Sequence, residues 1–311
     1  MIEEVPVHWI SGFWRRIGAL FVDLLVLGVF GFILGVAFES KFVELGGWGR
    51  LIGFAIALGY FGVMNSKISG GQTIGKKALK LRVVNSTNEL IGWPRSSVRY
   101  CILGIPFFLN GAHFTNEAMF SYLIYPLSLL IFGGIFSIVY LYIFNRITRQ
   151  SLHDLAVGTF VVNTDVGIHE TGAVWKPHLA VVTILFMAAG IAPAIVSQLA
   201  QSEPFNDLLT AQVALMNNPS VSYATISDGS TTFSSVNDGT TTNTYVSAQI
   251  FLTEDAVNDD ELARQLAEIV VVNYPELINR NALNINLTYG YDIGISSKWS
   301  SHVYRFNPDE L

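Results

Sequence analysis

Asp23 stands inside an apolar stretch, seven residues after Arg16. Seven residues are two helical turns, so the two charges share one helix face about 10.5 Å apart along the axis. A carboxylate at membrane depth is costly, and it either serves an ion or proton path or clamps neighbouring helices through an ion pair. His153 beside Asp154 invites a metal or proton-relay reading. No further carboxylate or histidine stands nearby at ligand spacing, which favours an ordinary polar contact. The run Gly70-Gly71-Gln72-Thr73-Ile74-Gly75-Lys76-Lys77 approaches a phosphate-binding loop. It falls short of that motif at one residue, Lys77, where magnesium needs Ser or Thr, and it follows no strand. The better expectation is that Gly70, Gly71 and Gly75 turn the chain at a membrane surface while the lysines face lipid phosphates. Neither a Gly-x-Ser-x-Gly elbow nor a His-Glu-x-x-His helix occurs, so no enzyme, cofactor or metal is expected. Cys101 is the only cysteine, which excludes an intramolecular disulfide and multi-cysteine metal sites.

The elements that must position these residues are membrane helices. Charged residues make up 14% of the 311 and hydrophobic ones 51%, whereas a soluble domain carries roughly 25% charged. A span needs about 20 apolar residues, and five segments qualify: Ile17–Phe38, Gly47–Asn65, Val98–Phe114, Phe120–Phe144 and His178–Leu199. The second is firm from Leu51, with Trp48 and Arg50 as interfacial anchors, and the third is short and interrupted by Pro106. The first is too long for a signal peptide and contains Asp23, which predicts an uncleaved anchor. With the N-terminus in the cytoplasm, the inside segments hold 12 Lys and Arg and the outside loops only Lys41 and Arg50. Five spans then put the chain beyond about Gln201 outside the cytoplasm. His113, with Asn110, Asn116 and Glu117, reads as a solvated outside loop.

Gly12-Phe13-Trp14-Arg15-Arg16-Ile17-Gly18-Ala19-Leu20-Phe21-Val22-Asp23 resembles the opening of the RDD family, membrane proteins named for one arginine and two aspartates. Arg16 and Asp23 take the first two of those positions. Gly71 to Lys77 and Leu81-Arg82-Val83-Val84 resemble the segment after the family's second span. Arg149-Gln150-Ser151-Leu152-His153-Asp154-Leu155-Ala156-Val157-Gly158-Thr159-Phe160-Val161-Val162 resembles its closing pattern. The resemblance covers residues about 12–163, makes Asp154 the second aspartate, and implies Arg16, Asp23 and Asp154 as functional positions with Arg149 and His153 as secondary candidates. It also implies transport of an ion or small solute. Leu81–Asn85 and Thr159–Asn163 are β-prone and can pair as a surface ribbon tying Arg149 and Asp154 beneath the bundle.

Residues 1–200 hold 14 Lys and Arg against 10 Asp and Glu, while 201–311 hold 4 against 14. The polar part is acidic, which sets nucleic acid aside as a partner. Its pattern predicts strands Val221–Ile226, Thr231–Val236 and Thr244–Leu252 joined by turns at Asp228-Gly229 and Asn237-Asp238-Gly239. A helix follows, capped by Asn258 with Glu261, whose stripe is Leu262, Leu266, Ile269 and Val270 and whose stop is Pro275. The last strand alternates Leu283, Ile285, Leu287, Tyr289 and Tyr291 inward. Glu203–Asn217 is expected to extend the fifth span. The cluster Glu254, Asp255, Asp259, Asp260 and Glu261 lacks calcium-loop spacing and suits a helix N-terminus. Tyr289, Tyr291, Trp299 and Tyr304 read as core and edge packing.

The expected fold is an α-helical transmembrane bundle of five spans plus an α+β extracytoplasmic domain of βββαβ order. Its domains are an RDD-type membrane domain at 1–176, a fifth helix at 177–200 and the outside domain at 201–311. The expected setting is a bacterial inner membrane, with the lipid bilayer as partner. A homo-oligomer and a protein partner for 201–311 are further expectations. A non-transporting assembly or sensing role is the alternative function.

Overall fold

A computed structural model describes residues 9–112, 122–167, 172–200, 205–235 and 239–311. His113, Asn116 and Glu117, the ends of the third and fourth expected spans at Phe114 and Phe120, and the Asn237-Asp238 turn lie outside the described residues. The chain divides into two units. One comprises Met1–Ala37, Gly47–Pro193 and Ile293–Ser296, the other Phe38–Gly46, Ala194–Asp292 and Ser297–Leu311.

In the helical unit, α1 (Phe13–Leu45) is non-helical at Phe38, where the first span was expected to end, and a 3-10 turn leads to α2 (Gly49–Met64). A short α3 (Ile74–Ala78) precedes β1 (Leu81–Asn85), and α4 (Trp93–Leu109) holds Pro106. The next apolar stretch is α5 (Ile124–Ser128), a π-helical turn (Leu129–Gly133) and α6 (Gly134–Phe144). Then come α7 (Leu152–Val157), β2 (Thr159–Asn163) and α8 (Lys176–Ala200). Among the described residues three stretches are long and apolar enough to cross a membrane: Phe13–Met64, Ile124–Phe144 and Lys176–Leu199. Alone, α2 with 16 residues and α4 with 17 fall short of the ~20 a crossing needs. Large apolar side chains such as Phe32, Phe136 and Ile191 remain exposed along these helices, as lipid-facing residues do.

The two β-prone segments pair antiparallel, Leu81 opposite Asn163 and Asn85 opposite Thr159. The ribbon is not on the surface. Every residue of β2 is buried, and Leu81, Val83 and Val161 pack with Ala19 of α1. The ribbon therefore belongs to the bundle's polar end and holds α3 and α7 against it.

The second unit contains α9 (Phe205–Met216), β3 (Val221–Ser235), β4 (Gly239–Leu252), α10 (Asp260–Asn273), β5 (Ala282–Asp292) and β6 (Ser297–Phe306). The sheet order is β3-β4-β5-β6, with β4 and β5 parallel across the α10 crossover. Val246, Ala248, Ile250, Leu283, Ile285 and Leu287 bury one sheet face against Leu266 and Val270 of α10 and Ala211 and Leu215 of α9. So α9 is a core helix of this unit; its junction with the last span, residues 201–204, lies outside the described residues.

The order ββαββ corrects the expected βββαβ. Asp228-Gly229 is not a turn but the middle of a 15-residue strand, opposite Val246 and Tyr245. The Asp228 carboxylate accepts from the Tyr274 hydroxyl at 2.6 Å and from Arg280 at 2.5 Å, which holds the strand extended there. The extra strand, β6, is exposed along most of its length and has no apolar alternation to announce it. The cap of α10 is Asp259, which accepts from the Leu262 N–H at 2.9 Å; Asn258 instead meets the His302 ring. Tyr291 is buried, Tyr289 and Tyr304 pack against the core, and Trp299 lies edge-on to Phe251.

Candidate functional site

One end of the helical unit gathers the buried ionisable groups, and α7 supplies its centre. Ser151 starts this helix and donates to the Ile138 carbonyl of α6 at 2.8 Å, so Asp154 in the first turn is aimed inward. Its Oδ2 accepts from Arg16 of α1 at 2.6 Å. Its Oδ1 accepts from Arg99 of α4 through Nε at 2.9 Å and Nη2 at 2.7 Å, and from the Thr159 hydroxyl of β2 at 3.0 Å. One fully buried carboxylate thus ties two helices and a strand together. Burial alone would push the Asp154 carboxyl up; Arg99, His153 and Arg16 reverse this and hold it well below the usual carboxylate range.

Arg16 therefore pairs with Asp154 and not with Asp23. Helical spacing placed Arg16 and Asp23 near one face, but the partner that reaches the guanidinium is 138 residues away. The Arg149 carbonyl also accepts from Arg16, and Tyr142 lies under its guanidinium at 5.3 Å. Arg149 adopts φ +51° while presenting that carbonyl. Arg149 also lines a cavity of about 400 Å³ with Arg16, Arg146, Phe13 and Tyr142.

Asp23 is equally buried and has a different set of partners. Its Oδ1 accepts from the Tyr60 hydroxyl of α2 at 2.7 Å and the Gly75 N–H at 2.8 Å; its Oδ2 accepts from the Thr73 hydroxyl at 2.6 Å. Thr73 in turn caps α3 by accepting from the Lys76 N–H at 3.2 Å. Asp23 thus fixes the start of α3, as a capping acceptor does. Gly70 and Gly71 do turn the chain, at φ +67° and +72°. Gly75 serves close approach instead: a Cβ there would lie 2.0 Å from the Ala19 carbonyl oxygen.

That approach turns Lys76 inward, which corrects the expectation that both lysines face lipid phosphates; Lys77 stays exposed. The Lys76 Nζ lies 3.4 Å from the Thr73 hydroxyl and 6.0 Å from the centre of the Phe61 ring. It forms no ion pair with a described carboxylate. Burial first, then Arg99, pulls its pKa down to about 7, against the opposing pull of Asp23 and Asp154. His153 places Nε2 3.6 Å from Asp154, and burial pulls its pKa down to about 3, so the ring is neutral near pH 7. Its buried Nδ1 has no hydrogen-bond partner among the described residues.

Lys76, Arg16, Arg99 and His153 all border a cavity of about 280 Å³ whose remaining walls are mainly apolar side chains of α1, α2, α4 and α6. A family profile covers the segment that holds Arg16, Asp23 and Asp154. Residues 10–158 match the RDD family. The chain carries an RDD family domain, with an additional sheet-rich unit after it. No curated protein matches the chain, and no solved structure matches it.

Within the RDD domain the three family residues do not form one triad. Arg16 and Asp154 share an ion pair with Arg99, while Asp23 anchors α3. The sequence reading missed Arg99 and Lys76 as site residues. The signal for Arg99 was present, since it falls within the third expected apolar segment, where an arginine calls for a partner.

Proposed function

We propose that this is a multi-pass plasma-membrane protein of the bacterial inner membrane whose RDD domain moves an ion or small solute. Five spans and a cytoplasmic N-terminus are supported by the excess of Lys and Arg in alternate loops, and they set the C-terminal unit outside the cytoplasm. The observation that carries the transport reading is Lys76, on the wall of a cavity with no described carboxylate at ion-pair distance. In a low-dielectric site a lysine so placed calls for a mobile counter-ion or gives up its proton. Asp23, Arg16 and Asp154 then act as the frame that holds the cavity, and Lys76 as the group that meets the solute.

The helix geometry supports movement next to the cavity. Leu129–Gly133 is π-helical, a feature that often marks functional joints, and the following Gly134 faces Pro106 of α4 so closely that a Cβ would meet its ring at 2.6 Å. An oligomer would widen the pathway that one chain's helices enclose.

Proteoliposomes reporting internal pH on addition of sodium, potassium, chloride or acetate test this reading. The expected result is ion-dependent flux that Lys76→Gln lowers at least about tenfold, the scale of one charge-assisted hydrogen bond. Flux equal to that of protein-free vesicles, or unchanged by Lys76→Gln, overturns it. Topology is tested by labelling Lys76→Cys and Thr240→Cys variants in a Cys101→Ser background. Labelling of the Lys76 variant from outside intact cells sinks the proposed orientation.

A second reading is an assembly or sensing protein. It is favoured by β6, the sheet's last strand, whose outer edge can take a further strand from a partner. Co-purification of a partner that the full-length Val303→Lys variant loses supports this reading; identical recovery by both proteins counts against it.

A further inference from the structure

The cavity beside Lys76 has two unlike ends, and no described carboxylate lines it. At the polar end are Lys76, Arg16, Arg99 and His153. Asp154 is shared by Arg16 and Arg99, and Asp23 is saturated by Tyr60, Thr73 and Gly75. With Lys76 protonated, three cations against these two carboxylates leave one positive charge in excess among the described residues, and the neutral imidazole of His153 does not offset it. The other end is formed by Ile17, Leu103, Phe107, Val139 and Ile143. Of these, Ile17, Phe107, Val139 and Ile143 are also exposed on the apolar outer surface, so the cavity opens sideways, where lipid chains lie.

From this we infer that the cavity binds a single-chain anionic amphiphile, its phosphate or carboxylate head against Lys76 and its alkyl chain running out between α1, α4 and α6. The volume of about 280 Å³ is near the roughly 300 Å³ lower end of ligand pockets, which suits one narrow ligand. An anion placed at Nζ also stabilises the ammonium, so binding takes up a proton where Lys76 is partly neutral. The charged groups around that ammonium are Arg99, Asp23, Arg16 and Asp154. Because Lys76 loses its proton near pH 7, affinity falls as pH rises above that value. The inference rests on the reading of Lys76 as the solute-facing group and adds the class of ligand.

The test uses the full chain in a neutral maltoside detergent and three probes. These are dodecanoyl lysophosphatidylglycerol, lysophosphatidylcholine of the same chain, and glycerol 3-phosphate as the head without a chain. Thermal midpoint reports affinity, and native mass spectrometry reports the number bound. The expected result is one bound lysophosphatidylglycerol, at least about tenfold weaker binding of the zwitterionic probe, and no shift by glycerol 3-phosphate. Lys76→Gln weakens the anionic probe by at least about tenfold, and Lys76→Arg retains binding while removing its decline between about pH 7 and 9. Val139→Trp, which fills the apolar end, abolishes binding; should it not fold, the Lys76 pair decides alone.

Equal affinity for the two lysolipids, or binding indifferent to Lys76→Gln, overturns the inference. So does an equal shift by glycerol 3-phosphate, which would make this an anion site without a chain. A dimer that takes up no lysolipid overturns it too, making the groove a contact between copies. Failure here is distinct from failure of the transport reading. Lysolipid binding without ion flux removes only transport, and flux without lysolipid binding removes only this ligand class.

Discussion

Asp23 and Asp154 are both fully buried carboxylates in the RDD domain, and the protein satisfies them in opposite ways. Around Asp154 the donors are two guanidiniums and a hydroxyl; around Asp23 they are two hydroxyls and a backbone N–H. The first arrangement sets charge against charge and joins α1 to α4. The second solvates a charge with neutral dipoles and sets the position of α3. Two residues that a family pattern puts on one footing therefore have different consequences when lost. Removing Asp154 strands two buried cations, whereas removing Asp23 strands donors that carry no charge.

The largest effect is expected at Asp154. Asp154→Ala leaves Arg16 and Arg99 without a counter-ion, a loss of roughly 3–5 kcal/mol, which should show as a collapse of the thermal midpoint in detergent. Replacing the whole group by Arg16→Met, Arg99→Leu and Asp154→Leu should recover much of it, because paired buried ions are often matched by apolar packing. Recovery by Arg16→Met with Asp23→Leu instead would break the assignment of partners. Gly75→Ala comes next. Its Cβ would sit 2.0 Å from the Ala19 carbonyl, so α3 must shift and the Gly75 bond to Asp23 is lost, costing about 3 kcal/mol. Asp23→Asn is milder at about 1–2 kcal/mol, since an amide keeps an acceptor for Tyr60 or Gly75 and only Thr73 must reorient. A midpoint for Asp23→Asn as low as that of Asp154→Ala would erase the distinction between the two sites.

Which parts of this were legible in the sequence follows from how far each interaction reaches along the chain. The apolar runs, the strand character of Leu81–Asn85 and of Thr159–Asn163, and the inward alternation of Val246 to Leu252 are local patterns, and they reappear in the structure. The partner of Arg16 is not local. Helical spacing can only nominate residues on the same helix, and Asp154 arrives from α7. Asp228-Gly229 misled for a related reason: its turn chemistry is overruled by Tyr274 and Arg280, which lie 46 and 52 positions away. The inward turn of Lys76 was hidden because Gly75, which reads as part of a surface turn, also lets α3 press against α1.

The smallest effect separates the Asp154 cluster from its surroundings by pH. His153 has a folded pKa of about 3, below its ordinary value near 6.5. The unfolded chain therefore binds a proton there that the folded chain refuses. Stability contributed by neutral His153 is whole above pH 6.5 and is lost as pH falls toward 3, at up to about 1.4 kcal/mol per pH unit. Asp154 adds its own loss only below about pH 4, where the unfolded carboxylate begins to protonate and the folded one does not. Between pH 6.5 and 5.5 the difference between the wild type and His153→Phe should then amount to about 1 kcal/mol, read as a thermal midpoint that falls in the wild type and falls less in the variant. The Asp23 site has no such imidazole beside it, so an Asp23→Asn protein should keep the wild-type fall over this interval. Identical slopes for the wild type and His153→Phe would show that this imidazole is not held neutral by burial, and the contrast between the two carboxylate sites would then rest on their donors alone.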